Sequence, residues 1–436
     1  MAKFLIRRIV FMFLTMILVS IAIFFVAEIA PGNIARNTLG NFVTPEQEAS
    51  FNAQNGLDQP ALTRYLRWIF GSDRQAQRLV GRSITHTLNP KTKKLQWWAV
   101  DDDGTLYQSY TPDGETVIKV VRQPDGSVLK VDAGTDLWRP NEEGVLVYWG
   151  ITKASQAAMW VHGEDLEQWT LNTTANWTTK PSAPRRYIKL SEGILRGDFG
   201  VSLLTHRPVS DGLFRRTINS FYLAGISFLI IMPISLLFGL IAGLNEGKLV
   251  DRVLSIGSLI AAATPSYAVG VFLILIFATW LDVLPGVVIL TNDAAIFKNP
   301  LQLVLPIATL TLVDLGYVLR ITRASMIEVM RTNYIRTAVI NGLPRYRIVF
   351  KHALKNALLT PITVIMLHVN WLVGGLVLVE ALFAFPGLGS YALRAAASKD
   401  VFALEAAAMI FVVLAVSSQL VADLIYTYLN PRISYD

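Results

Sequence analysis

The sequence predicts an all-α polytopic membrane protein of six transmembrane helices, with a β-rich domain inserted outside the membrane. Three observations predict it. Of the 436 residues, 53% are hydrophobic and 16% charged, against roughly 45–50% and about 25% in soluble domains. The apolar excess gathers into runs such as IVFMFLTMILVSIAIFFVAEIA, Ile9 to Ala30, each long enough for the roughly 20 residues a helix needs to cross hydrocarbon. From Lys94 onward the pattern changes to short alternating runs such as TVIKVV and SVLKV, punctuated by Asp-Gly pairs.

The six spans are expected at Ile9–Ala30, Phe221–Leu244, Val253–Leu281, Leu301–Leu319, Ala357–Phe383 and Leu404–Leu429. The first has a longer apolar run than a secretory signal core, and AEIAPGNIARN is a weak cleavage site, so it is read as a retained span. Lys3, Arg7 and Arg8 precede it, and Arg320, Arg323 and Arg331 follow the fourth span, whereas the connection between spans three and four offers only Lys298. The positive-inside bias then puts both termini in the cytoplasm. The same bias accounts for the net charge of +7 without any nucleic-acid partner.

The segment from Ala30 to Ser220 falls outside the membrane, and a β-rich domain is expected at residues 72–196. Asp103-Gly104, Asp113-Gly114 and Asp125-Gly126 supply the positive φ angles of tight hairpins at the spacing of a β-meander. Seven of the ten tryptophans, Trp97, Trp98, Trp138, Trp149, Trp160, Trp169 and Trp177, lie here. With no cysteine in the chain, the domain has no disulfides to hold it, and most of these rings are expected in its core. The DDDG at Asp101 to Gly104 reads as a turn, since it lacks the spaced oxygen ligands of a calcium loop.

Catalytic equipment is not found: there is no H-E-x-x-H, G-x-S-x-G or G-x-G-x-x-G, and the five histidines are scattered. GLNEGKLV, Gly243 to Val250, approaches a phosphate loop but has the wrong glycine spacing and Leu249 where a magnesium-holding hydroxyl would stand. No catalytic residue, metal or cofactor is therefore assigned to this chain. Polar residues inside the spans are informative because burying them in lipid is costly. Asp314, His368, Asn370, Glu380 and Asp423 qualify, together with Pro265 and Ser266 in ATPSYAVG. They either line a water-filled pathway or bond helix to helix. Pro233, Pro306 and the Gly239/Gly243 pair indicate a multi-helix bundle.

The stretch NYIRTAVINGLPRYRIVFKHALKNAL differs in kind. It carries Arg336, Arg345, Arg347, Lys351 and Lys355 with no acidic residue. Tyr334 to Ile340 favours helix, Gly342 suits the left-handed end of a helix, and Pro344 can start the next. A helix, a sharp turn and a second helix leading into the membrane are expected, offering either a rigid surface for a partner or merely a solvated basic loop.

At these residues the chain resembles the permease subunits of bacterial ABC importers, in the dipeptide and oligopeptide branch. The stretch resembles their EAA loop, here 331–356, in the variant Y-x-R-T-A-x-x-x-G: Tyr334, Arg336, Thr337, Ala338 and Gly342, continued by Leu343, Pro344 and Arg345. FLIRRI, APGNIARNTLG, RYLRWIFG, GDFGVSLLTHRPVSD, VEALFAFPGLG and LNPRISYD resemble other family segments in order, so the likeness covers residues 1–71 and 197–436. The departure is an insert of roughly 125 residues between them, within single-domain size.

The resemblance implies a type I importer fold in the bacterial inner membrane. It implies pairing with a second homologous permease, and two cytoplasmic ATPases that hold ATP and magnesium and grip the EAA helix. A solute-binding protein would deliver peptides or peptide-like solutes from outside. Tyr334 through Arg345 would then be the coupling element, and Asp314, Pro265, Ser266, His368, Asn370 and Glu380 candidates for the pathway. Two rivals stay open: a membrane-anchored sensor or assembly protein acting through the insert, and an ion-coupled carrier using Asp314 and His368.

Overall fold

The computed structural model describes residues 2–29, 33–40, 42–80, 83–101, 103–110, 118–123, 125–132, 139–140, 144, 146–151, 157–162, 166–171, 177–178, 190–289 and 299–429. They divide into two compact units. One comprises 1–21, 213–394 and 407–436; the other comprises 22–212 and 395–406.

Helix α1 (Ala2–Ile29) has no proline or glycine to interrupt it. Its large apolar side chains, among them Ile6, Val10, Phe13 and Ile17, are mostly exposed, as befits a helix covered by lipid rather than by its own chain. In the second unit α2 (Ile34–Leu39) starts at Asn33, whose Oδ1 accepts from the amides of Ala35 and Arg36. Helix α3 (Pro45–Asn55) starts at a reciprocal cap: Thr44 Oγ1 accepts from the Gln47 amide, and Gln47 Oε1 from the Thr44 amide. Helix α4 (Ala61–Phe70) buries Tyr65 and Trp68, and Trp68 Nε1 donates to the Phe199 carbonyl at 3.2 Å. Helix α5 (Asp73–Val80) follows at once.

The insert is more than the single meander the sequence predicts: it holds two. β1 (Ser83–Leu88), β2 (Leu95–Val100), β3 (Leu106–Tyr110), β4 (Ile118–Arg122) and β5 (Val128–Asp132) form one antiparallel sheet in chain order. β6 (Arg139–Pro140), β7 (Leu146–Ile151), β8 (Ala157–His162), β9 (Leu166–Leu171) and β10 (Trp177–Thr178) form the other. Gly104 and Gly126 take φ of 82° and 83° at two of the predicted turns. Asp103 accepts there from the Thr105 amide and hydroxyl, both at 2.9 Å, so this DDDG aspartate serves a turn. Asp113-Gly114 lies outside the described residues.

Strand β7 lies against β2 and β3. Successive residues of a strand face opposite ways, so the burial of both Trp97 and Trp98 shows that β2 is covered on both faces. These two rings fill the core as expected. Trp138 lies outside the described residues, as do the side chains of Trp149, Trp160, Trp169 and Trp177. The insert enters and leaves through a paired neck: the amides of Ser72 and Asp73 donate to the Ser191 carbonyl at 2.7 and 3.1 Å. Arg196 Nη1 donates to Asp73 Oδ2 at 2.9 Å, which holds the guanidinium pKa above its ordinary value.

In the first unit α6 (Val209–Leu244) runs unbroken through Pro233. Helix α7 (Leu249–Ala263) and α8 (Ser266–Trp280) stand where one span was expected, bent by 107°. The reason is Pro265: it has no amide, and it drives Thr264 into extended backbone, φ −88° and ψ 129°. Helix α9 (Leu301–Met330) passes through Pro306 and is eleven residues longer than the predicted fourth span, the added part carrying Arg320 and Arg323. Then come α10 (Asn333–Ile340), α11 (Arg345–Ala357), α12 (Leu359–Leu382), α13 (Leu388–Ser398) and α14 (Val401–Leu429). Among the described residues, helices α1, α6, α9 and α14 are long and apolar enough to cross a membrane, and the total is six if each of the bent pairs α7–α8 and α11–α12 is one span.

The core of this unit joins Leu223, Ile231, Leu305, Leu310, Leu376 and Phe383. Helices α6 and α9 approach so closely that a Cβ at Gly239 would lie 2.5 Å from Thr322 Cβ and 2.8 Å from the Leu319 carbonyl. Gly239→Val should therefore force the two helices apart. A loss of about 1–3 kcal/mol is expected, read as a lowered midpoint of thermal unfolding in detergent micelles.

Candidate functional site

The basic stretch folds as a hairpin. Thr332 ends α9 and begins α10 in extended backbone; Gly342 takes φ 71° at the turn, and Pro344 precedes α11 with φ −64° and ψ 143°. The left-handed angle at Gly342 is one that L side chains rarely adopt, although a Cβ there would meet no atom within 4 Å. The hairpin has two distinct faces. Ile335, Ala338, Ile348, Val349 and Ala353 are buried against Met326 of α9, with Leu240 and Leu244 of α6 packed alongside. Arg336, Thr337, Val339, Ile340, Arg345, Tyr346 and Phe350 are exposed.

Polar contacts lock this inner face. Ser325 Oγ donates to the Ala357 carbonyl at 2.8 Å, Asn356 Nδ2 donates to the Tyr334 hydroxyl at 2.8 Å, and Arg345 Nη2 donates to the Leu244 carbonyl at 3.4 Å. Ala338 and half-buried Leu343 thus belong to the packing beneath the hairpin, Arg336 and Thr337 stand on its outer side, and Arg345 is exposed at the edge while bonded to α6. Residues Ile348–Ala353 are wound as a π-helix, an irregularity frequent at functional sites.

A cavity of about 460 Å³ opens where α7 breaks from α8. Asp314, Pro265 and Ser266, all predicted pathway residues, line it together with Thr264, Leu310 and Gly375. Asp314 is the one charged residue among the described residues lining it, and its side chain is buried.

Residues 235–435 match the family described as "Binding-protein-dependent transport system inner membrane component", and residues 1–85 match its N-terminal part. The chain belongs to this permease family. The oligopeptide transport system permease protein AppB of Bacillus subtilis (strain 168) is 34% identical over 253 residues, spanning 57% of this chain and 80% of that protein. The probable D,D-dipeptide transport system permease protein DdpB of Escherichia coli (strain K12) is 32% identical, spanning 57% and 79%. The dipeptide transport system permease protein DppB of Haemophilus influenzae is 31% identical, spanning 56% and 78%. Residues 86–234, which include most of the insert, fall outside both family matches. The chain is thus a transport subunit, the permease of an ABC importer, and a multi-pass protein of the inner membrane.

Not every pathway candidate of the permease lies at the cavity. Glu380 is fully buried elsewhere and its two oxygens are occupied: Ser220 Oγ donates to Oε1, and the Ser390 amide to Oε2 at 3.0 Å. The Leu388 amide donates in turn to Ser220 Oγ at 2.7 Å. This carboxylate ties the loop after α12 to α6 and is not among the residues lining the cavity. His368 and Asn370 sit on α12 with their side chains outside the described residues, as does that of Asp423 on α14.

The sequence reading missed the ion pair that braces the hairpin end of the bundle. Arg323 of α9 donates to Asp251 of α7 through Nε and Nη2, at 2.5 and 2.8 Å, and the Gly247 amide adds a third bond at 2.9 Å. The signal available was an aspartate opening one apolar segment and an arginine near the end of another. Nothing in the spacing shows that they meet. Arg323→Ala would leave a carboxylate only 4% exposed without its partner. A destabilisation of about 2 kcal/mol is expected, below the roughly 3–5 of a wholly buried pair because Arg323 is partly solvated. Thermal unfolding in detergent checks it, and Asp251→Asn in the same chain should recover part of the loss.

Proposed function

We propose that this permease carries peptides or peptide-like solutes, forms half of the translocation pathway with a second, homologous permease, and is driven through the 331–356 hairpin by one of two cytoplasmic ATPases. The observation that carries the reading is the hairpin's two-faced packing. A solvated loop needs no buried inner face, whereas this one is fastened to α6 and α9 and still exposes Val339, Ile340, Tyr346 and Phe350 beside Arg336, Arg345 and Arg347. Apolar and aromatic groups ringed by arginine are the composition of a protein-binding hot spot. The names of the relatives supply the cargo class.

In this reading both termini and the hairpin are cytoplasmic, and ATP and magnesium reside on the ATPases. A solute-binding protein docks from the extracytoplasmic side, to which the sequence assigns the insert. Closure of the ATPases displaces the hairpin; Met326, the Ser325–Ala357 bond and the Arg323–Asp251 pair pass that displacement to α9 and α7. Asp314 lies on the same α9, roughly 18 Å from Met326 at 1.5 Å per residue.

Gly342→Pro tests the coupling role, since proline cannot adopt φ near 71°. Peptide uptake by vesicles of the whole assembly should fall to background while membrane insertion is kept; undiminished transport would end the coupling role. Tyr346→Asp with Phe350→Asp should release the ATPases on co-purification without unfolding the permease, because both side chains are exposed. Uptake that persists with ion gradients collapsed and ATP supplied would exclude an ion-coupled carrier. For the insert, the paired neck allows residues 74–190 to be replaced by a short glycine linker. Loss of binding-protein-dependent uptake in that variant, with ATPase co-purification intact, is the outcome expected if the insert contacts the binding protein.

A further inference from the structure

The cavity at the α7–α8 break has the chemistry of a cation site, and we infer that Asp314 receives the α-ammonium group of a peptide passing through it. The inference rests on the peptide reading above and assigns a specificity role to one residue within it.

Among the described residues lining the cavity, Asp314 is the sole charged one; the others are apolar or hydroxyl-bearing. A buried carboxylate facing a water-accessible space of this size favours a positively charged occupant. Asp314 also has an interaction within the protein, and a carboxylate offers about four acceptor sites.

The backbone adds a second, independent contribution of the same sign. In a continuous helix the carbonyls of Ala262 and Ala263 would accept from Ser266 and Tyr267. Pro265 and the 107° bend prevent this, and among the described residues neither carbonyl receives a backbone amide across the break. Both alanines line the cavity. The C-terminal end of α7, the negative pole of its dipole, therefore opens into the same space as Asp314, an arrangement by which broken membrane helices hold cations. Every unblocked peptide carries such a cation at its N-terminus whatever its side chains. A site tuned to that group alone serves cargo of varied sequence.

The test uses the whole assembly, with its binding protein, in ATP-loaded vesicles, and compares initial uptake of trialanine and N-acetyl-trialanine. Asp314→Asn should lower trialanine uptake tenfold or more and leave N-acetyl-trialanine uptake, however small, at the wild-type level. Asp314→Glu should restore most of the trialanine rate. Stimulation of ATP hydrolysis by the trialanine-loaded binding protein should stay within twofold of wild type in both variants. Unchanged trialanine uptake in Asp314→Asn overturns the inference, as does an equal fall for both peptides or a parallel loss of ATPase stimulation, either of which marks a structural role. Wild-type vesicles that carry both peptides equally overturn this inference alone. Wild-type vesicles that carry neither overturn the peptide reading and this inference with it.

Discussion

The unit that holds the hairpin depends on α9 being a single rigid rod against which its neighbours pack. Of the four long spans it is the most deeply buried, and its contacts differ in kind along its length. At one end the Met326 side chain receives the hairpin. One turn away Thr322 sits in the groove left by Gly239, and Arg323 reaches α7 through a doubly hydrogen-bonded pair with Asp251. Farther along, Asp314 and Leu310 form a wall of the cavity. Close packing of small residues and a satisfied buried ion pair resist shear. In the proposed function, a displacement at the Met326 end is therefore passed along α9 toward the cavity.

Much of this was legible in sequence because the relevant signals are local. Run length gave six spans where the described residues hold four, or six if each bent pair is one span, Gly342 and Pro344 gave the hairpin's turn, and the Asp-Gly pairs gave turns at Gly104 and Gly126. What escaped were features set by the meeting of distant segments. The Asp251–Arg323 pair joins residues 72 apart, and Glu380 finds Ser220 across 160. From one chain a buried carboxylate reads the same whether it faces a cavity, like Asp314, or is consumed by hydrogen bonds, like Glu380. The bend in the third span escaped for another reason: apolar run length is blind to a bend. Thr264-Pro265 was visible as a proline in a span, but Pro233 and Pro306 lie in spans too, and α6 and α9 continue through them.

That contrast has a physical basis. A proline removes one amide and crowds the preceding turn, and a helix tolerates this when neighbours hold it straight. Leu305 and Pro306 are themselves buried in the bundle, so α9 is clamped at its proline. Pro265 is exposed at the cavity, with Ala262 and Ala263 also exposed. Pro233 is exposed too, but Ile231, Met232 and Ser235 beside it are buried, so α6 is held on its other sides. None of residues 261–269 is buried, and there the backbone takes the extended conformation that proline prefers at the residue before it.

The same logic separates a lever from a loop. A segment that passes on force must be coupled more strongly to its own protein than a surface loop is, yet keep one face free. Tyr334 to Phe350 meets both conditions by alternation: Ile335, Ala338, Ile348 and Val349 point inward, while Arg336, Val339, Ile340, Tyr346 and Phe350 point outward. Arginines on the outer side keep that apolar face soluble. Because positive-inside bias alone would be satisfied by basic residues in any conformation, the helical alternation and the left-handed Gly342 are the part of this stretch that topology does not explain. They fit the proposed coupling role, since a bent, internally packed pair of helices cannot yield at its turn without breaking its inner core.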